Sequence, residues 1–326
     1  MAKLTMVEAL NLALKQEMGQ DDTIIVLGED IGMDGGVFRV TDGLIDLYGS
    51  ERVIDTPLAE AGIVGFSVGM AINGLKPVAE IQFSGFSYLA MHQVEAHVAR
   101  YRWRTRGGSP LSLVLRMPYG AGIRALEHHS ESREAYYAHT PGLKVVIPSS
   151  PRNARALMVS AIRDPDPVIF YEPKAIYRAF REEVPEQEEV KEIGKAEIVR
   201  EGKDLTMISY GAMLRPTMEA AEELKTSDGV EAEVIDLLTI SPMDHETFIQ
   251  SVNKTGRVVV INEAPRSFGP AAEVVSRIIE KSFWHLEAPV QRVTGFDTIV
   301  PLFAYEKAYL PGVKRILKAA RETLAA

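Results

Sequence analysis

Short apolar runs and longer stretches of helical periodicity alternate from the beginning of this chain. TIIVLGED, KPVAEIQF, LSLVLRMP, LKVVIPS and PVIFYEP are rich in β-branched, aromatic and other apolar residues, and the segments between them are longer and of helical character. Short strands split by helices predict a mainly parallel sheet with helices on both faces. The rhythm breaks at RAFREEVPEQEEVKE, from Arg178 to Glu192, an acidic stretch that reads as a solvated linker. It resumes on a smaller scale with DLTMISYG, EAEVIDLL, RVVVINEA and PVQRVTGF, so a second, smaller α/β domain is expected, with boundaries at 1–180, 181–192 and 193–326. MAKLTMVEALNLALKQEMGQ and EKAYLPGVKRILKAARETLAA, at the two ends, carry apolar residues at helical spacing.

Composition narrows the function classes. A chain of 326 residues exceeds the usual size of one hydrophobic core, which agrees with two domains. A net charge of -9 opposes phosphate backbones and anionic lipid, so neither nucleic acid nor membrane is an expected partner. Without a cysteine there is no disulfide, thiolate nucleophile or iron–sulfur ligation. No run approaches the ~18 apolar residues of a membrane span, and the start lacks the make-up of a secretory or transit peptide. The expected location is the cytoplasm.

The candidate chemistry centres on Glu60, at the head of the apolar, glycine-studded run DTPLAEAGIVGFSVGMAINGLKP. A carboxylate there is costly to desolvate, so it either faces water as a helix N-terminal charge or is held for a task. Gly65-Phe66-Ser67-Val68-Gly69 fits the G-x-S-x-G elbow of serine hydrolases, with Ser67 as nucleophile. The elbow needs a strand directly before it, whereas Leu58–Gly62 reads as a helix start. Gly62, Gly65 and Gly69, three and four apart, instead make a small-residue helical face. The adjacent His128 and His129, if extended, would point in opposite directions, so only one should face a site. The basic run Arg100–Arg106 reads as a helix end or a subunit contact.

Glu60, Gly65, Phe66, Gly69 and Met70 together resemble the aminopyrimidine-binding motif of thiamine diphosphate enzymes. VLGEDIGMDGGVFRVTDGL, VIDTPLAEAGIVG, PVAEIQFSGF, LRMPYGAG, HHSESREAYYAHTPGLKVVIPSSPRNARAL, VIFYEPKAIYR and VTGFDT extend the likeness over nearly the whole chain, in order. They resemble the β subunit of the E1 component of 2-oxoacid dehydrogenase complexes, of the pyruvate or branched-chain type. The resemblance implies a pyrimidine-binding α/β domain followed by a smaller transketolase C-terminal-like domain. It implies that Glu60 hydrogen-bonds a ring nitrogen of the cofactor, with Leu58, Gln82 and Phe86 as pocket residues. It implies further that His129 positions substrate and donates a proton as the acyl group passes to lipoamide. Leu111, Leu113, Val114, Ala161, Asp164 and Asp166 match a stretch holding a structural potassium ion.

The family anchors the diphosphate through Mg2+ with a Gly-Asp-Gly motif, and this chain has none: Asp34, Asp42 and Asp228 follow Met33, Thr41 and Ser227. The resemblance therefore implies that an α subunit, in an α2β2 assembly, brings Mg2+ and the other half of the site. It also implies binding to the E2 peripheral subunit-binding and lipoyl domains, and a small 2-oxoacid substrate, with acetoin cleavage as an alternative reaction. His92 and Glu131 stand where many E1 β chains have Asp and Gln.

Overall fold

The computed structural model describes residues 2–326 and divides into two compact units. The first comprises the chain up to Tyr119 together with Tyr136–Ile193; the second comprises Gly120–Ala135 together with Gly194–Ala326. The excursion at 120–135 is therefore part of the second unit, although it lies far from it in sequence.

In the first unit β1 (Ala2–Leu4) pairs antiparallel with a strand far along the chain. The main sheet is built from β2 (Ile24–Gly28), β3 (Val53–Asp55), β4 (Lys76–Glu80), β5 (Val114–Tyr119), β6 (Lys144–Val146) and β7 (Val168–Pro173). These run parallel in the order β6-β7-β5-β4-β2-β3. β2, β5 and β7 are buried along their full length, as a parallel sheet covered on both faces requires. The helix Met6–Gln20 begins in a capping box, with the Thr5 hydroxyl accepting from Glu8 N–H and the Glu8 carboxylate accepting from Thr5 N–H at 2.7 Å. Thr5 stops the helix from reaching back to the first residues, which form a strand and not the helical start expected. The helix packs on Pro151–Arg163, itself capped by Ser150 and opened by Pro151.

The acidic stretch is not a free linker. β8 (Glu182–Val184) is the partner of β1, and Arg152 and Arg163 pair with Glu189 and Glu188 at 2.6 and 2.5 Å. Arg155, buried, donates to Gln16 and to the Gln187 carbonyl. The charge that suggested solvation is matched by arginines on one helix face.

The second unit holds β9 (Glu197–Arg200), β10 (Leu205–Ser209), β11 (Ala232–Asp236), the short β12 (Thr239–Ser241), β13 (Val258–Ile261) and β14 (Gln291–Val293). Its sheet runs β14-β13-β10-β11-β9, parallel except for β9 at the edge. Leu214–Asp228 packs with Val313–Leu324, and His245–Thr255 with Pro270–Ser282. No described helix is long and apolar enough to cross a membrane.

One buried charge cluster holds the middle of the first sheet. Arg116, with no exposed surface, donates two hydrogen bonds to Glu172 at 2.7 and 2.9 Å and one to Glu80 at 2.7 Å. Tyr177 O–H adds a fourth, to Glu172 at 2.5 Å. Burial holds the Glu80 carboxyl above its usual range, with Arg116 pulling it down and Glu172 pushing it up. Removing the cation alone would strand two carboxylates in the core, a change that costs about 3–5 kcal/mol. Arg116→Leu is accordingly expected to lower unfolding free energy by about that amount in denaturant titration, and adding Glu80→Gln and Glu172→Gln should recover most of the loss. At the surface, the Thr23 hydroxyl, and after it Lys76 and the Thr23 N–H, pull Asp21 down to about 2 from its ordinary 3.8, against partial desolvation. Because its folded pKa is the lower one, this stabilisation is present above pH 3.8 and lost as pH falls toward 2. Asp21→Asn should flatten the acid limb of the stability curve in that window, as read by the denaturation midpoint at successive pH values.

Candidate active site

The register of the first sheet decides where its loops gather. Gly28, the last residue of β2, lies opposite Asp55, the last of β3, and Glu80, the last of β4. Glu29–Asp30, Thr56–Glu60 and Ile81–Phe86 therefore leave the sheet at one edge. The chain passes from β2 to β3 on one side, and from β4 to β5 on the other. That divergence opens a crevice at the carboxyl ends of β2 and β4, the place where open α/β sheets bind ligands. Gln82 bridges it, donating to Asp30 at 3.4 Å.

Glu60 is the first residue of the helix Glu60–Ile72 and is only 7% exposed. It shares a helix face with the buried Ile63, Val64, Ser67 and Ala71, so the spacing that draws those residues into the core draws Glu60 inward too. No side chain caps this helix, and its free N–H groups favour the carboxylate. Glu29 faces it closely enough to respond: its carboxyl is held above the usual range by burial, then by the charges of Asp30 and Glu60. Ser67 is fully buried and donates to the Ile63 carbonyl at 2.8 Å. It sits two turns inside a helix and not on an elbow, so the hydrolase reading has no accessible nucleophile.

Phe86 is half-buried and meets Phe83 edge-on, with centroids 6.0 Å apart. Phe83 continues to Phe38, and Phe38 to Tyr177, which fixes this aromatic row against the buried charge cluster. Leu58 and Phe66 are 67% and 73% exposed, and Gly69 has open space where a Cβ would stand. Gly65 lies against Gln93. The outer side of the Glu60 helix is thus apolar and uncovered in the single chain. A buried acceptor at a helix start, a half-buried ring and an exposed leucine suit a flat heteroaromatic ring with a polar edge.

Asp55 organises the neighbouring loop in a way that periodicity does not reveal. Its carboxylate accepts from Gly32 and Met33 N–H at 2.6 and 3.2 Å. The Thr41 hydroxyl donates to the Ile31 carbonyl and Asn11 to the Val40 carbonyl, so the glycine-rich segment is tied down at both ends. The only signal in the sequence was an acidic residue ending a strand. Of the Asp-Gly pairs, Asp42 packs against Gly35 and Asp228 pairs with Arg321 at 2.8 Å.

The six residues matched to a cation site do come together. Leu111 N–H donates to Pro165, Leu113 accepts from Val168 N–H, Val114 lies opposite Val168, and Ala161 accepts from Asp164 N–H. The Asp164 carboxylate, however, is taken by Lys144 at 2.7 and 2.6 Å, and Asp166 faces Arg102 at 3.3 Å. Any cation here would rest on carbonyl oxygens.

In the second unit, His128 and His129 lie in a 3-10 turn, Glu127–His129, in place of the extended loop expected. His129 is half-buried; His128 Nδ1 lies 3.8 Å from Glu131, whose carboxylate is held by Arg133 at 2.5 Å. The segment around them is fixed by three acidic residues that sequence reasoning missed. Glu263, 2% exposed, accepts from Ala121 N–H at 2.9 Å, and Glu306, 3% exposed, accepts from Gly122 and Arg124 N–H at 2.8 and 3.2 Å. Gly120 has a φ of +82°, and a Cβ there would stand 2.7 Å from Glu263, so the close approach needs glycine. At the far end, Tyr210 donates to the fully buried Glu134 at 2.8 Å and accepts from Asn262 at 3.0 Å. Burial holds the Glu134 carboxyl above its usual range.

The family model of the transketolase pyrimidine-binding domain matches residues 2–179, and that of the transketolase C-terminal domain matches residues 194–316. Pyruvate dehydrogenase E1 component subunit beta of Acholeplasma laidlawii is 52% identical over 316 residues, covering 97% of this chain and 96% of its own. The proteins of the same description from Staphylococcus epidermidis and Bacillus subtilis are each 48% identical over 324 residues, with 99% of both chains covered. A solved structure, described as a split gene transketolase, inactive beta4 tetramer, shares the fold with a TM-score of 0.82 at 22% identity, over 99% of each chain. On these grounds the chain belongs to the E1 β-subunit family of 2-oxoacid dehydrogenases, built on the transketolase pyrimidine-binding and C-terminal domains.

Proposed function

We propose that the chain is the β subunit of a pyruvate dehydrogenase E1, active with an α subunit in an α2β2 assembly that uses thiamine diphosphate and Mg2+. The choice of pyruvate rests on relatives 48–52% identical over nearly full length that carry that description. The observation that carries the cofactor reading is the burial of Glu60 at a helix start on the carboxyl edge of the parallel sheet. When bound, the cofactor's thiazolium ring supplies the electron sink for decarboxylation. Glu60 would hold the pyrimidine nitrogen by a hydrogen bond and share its proton, with Phe86 to pack on the ring and Leu58 and Gln82 to line its pocket. His129 positions the substrate and protonates the thiolate released when the lipoyl disulfide opens to take the acyl group. The exposed Leu58 and Phe66 and the open Gly69 suit a covering α subunit, which would hold the diphosphate and Mg2+. The E2 peripheral subunit-binding and lipoyl domains are the further partners. A structural K+ would be held by the carbonyls of Leu111, Leu113, Val114 and Ala161, with Asp164 and Asp166 balanced by Lys144 and Arg102.

Two measurements check this reading. Purified alone, the chain should release no carbon dioxide from pyruvate; with its α partner, thiamine diphosphate and Mg2+ it should, and to a greater extent than from branched-chain 2-oxoacids or acetoin. Equal turnover by the lone chain would contradict a shared site. Glu60→Gln in the assembled tetramer should cut decarboxylation by roughly 10²–10⁴-fold, the range of a lost general acid-base group. Circular dichroism and tetramer assembly should stay as in the unaltered protein, and undiminished turnover would remove Glu60 from the chemistry.

A further inference from the structure

The segment Gly120–Ala135 belongs to the second unit, whose side chains hold it by backbone N–H groups at one end and through its own Glu134 at the other. Three acidic residues contribute, each at most 3% exposed. Glu263, two residues beyond β13, accepts from Ala121 N–H; Glu306, at the start of the turn Glu306–Tyr309, accepts from Gly122 and Arg124 N–H. At the far end the buried Glu134 accepts from Tyr210, which Asn262 orients from the residue next to Glu263. A carboxylate receiving two backbone N–H groups in a buried setting is a strong, directional tether, since charge-assisted hydrogen bonds are roughly twice as strong as neutral ones. Tyr309 packs with Ala121 and Val300 beneath the same turn. His129 stands between the two tethered ends, five residues from Arg124 and five from Glu134.

We propose that Glu263 and Glu306, with the Glu134–Tyr210–Asn262 chain, are positioning residues: they fix the backbone of the 120–135 segment so that His129 meets the incoming lipoyl group in one orientation. The inference rests on the role given to His129 above. It assigns to the C-terminal unit a task in the acyl-transfer half of the reaction, separate from any docking task. Misplacing a reacting group by about 1 Å can cost on the order of 10²-fold, so loosening the tether should act on transfer through kcat and leave affinity for the lipoyl domain in place.

The test uses the reconstituted α2β2 enzyme and two assays, ferricyanide-linked pyruvate decarboxylation and acylation of a free lipoyl domain. Glu306→Ala should lower kcat for acylation by roughly 10–100-fold with KM for the lipoyl domain within about 3-fold, while ferricyanide-linked decarboxylation stays within about 3-fold. Hydrogen exchange at the Gly122 and Arg124 amides should quicken in parallel. Glu306→Gln keeps an oxygen acceptor and should restore most of the acylation rate. Should Glu306→Ala fail to assemble, the shorter Glu306→Asp, which keeps the charge, should show the same selective loss. Loss of both activities together, or acylation at the unaltered rate when His129→Ala is impaired, would overturn the tether while leaving the histidine's role standing. Acylation by His129→Ala at the unaltered rate would remove the histidine's role itself, and the positioning assignment with it.

Discussion

Because all the strands of the first main sheet run the same way, their carboxyl ends share one edge, and every polar group that must reach a ligand has to come from that edge. Gly28 opposite both Asp55 and Glu80 is the register that enforces this. A sheet covered on both faces has no other exit for functional side chains. Asp55 spends its charge on the loop after β2, Glu80 is held beneath by Arg116, and Glu60 follows β3 by five residues at the start of the next helix. A slip in any pairing would carry these groups apart, and the buried ion cluster of Arg116, Glu80 and Glu172 ties β4, β5 and β7 together.

Buried carboxylates recur through both units, and each is compensated differently according to its use. Glu80 and Glu172 divide one guanidinium and serve the core. Glu263 and Glu306 receive backbone N–H groups, which fixes main chain. Glu134 meets a neutral hydroxyl, and burial favours its protonated form. Glu60 has neither a guanidinium nor a loop to hold in its helix's opening turn, only the helix field and the nearby Glu29. A partner with a ring N–H fits that environment, since it can donate to a carboxylate that no described cationic side chain holds.

Much of this was legible from periodicity. The apolar runs located β2, β4, β5, β6 and β7, and the helix start at Glu60 follows from its spacing with Ile63, Val64 and Ser67. β1, β8 and β9 were not seen because edge and antiparallel strands are short and half-exposed, with no continuous apolar run to mark them. RAFREEVPEQEEVKE looked solvated because its partners Arg152, Arg155 and Arg163 lie 25–37 residues earlier on a helix face, and one-dimensional charge counting cannot bring them together. The hold on 120–135 was illegible for the same reason: Glu263 and Glu306 act on N–H groups 142 and 184 residues away, and backbone donors leave no trace in sequence.

The departure at position 131 illustrates how a local charge is absorbed. Read alone, Glu131 in place of glutamine adds a negative charge beside His129. In the folded unit that carboxylate takes two hydrogen bonds from Arg133, at 3.0 and 2.5 Å, and faces His128 at 3.8 Å. The guanidinium is a counter-charge within the same turn, and His128 is one of the side chains this carboxylate faces. The added charge thus meets a counter-ion two residues away, while the backbone at the start of the segment is held separately by Glu263 and Glu306.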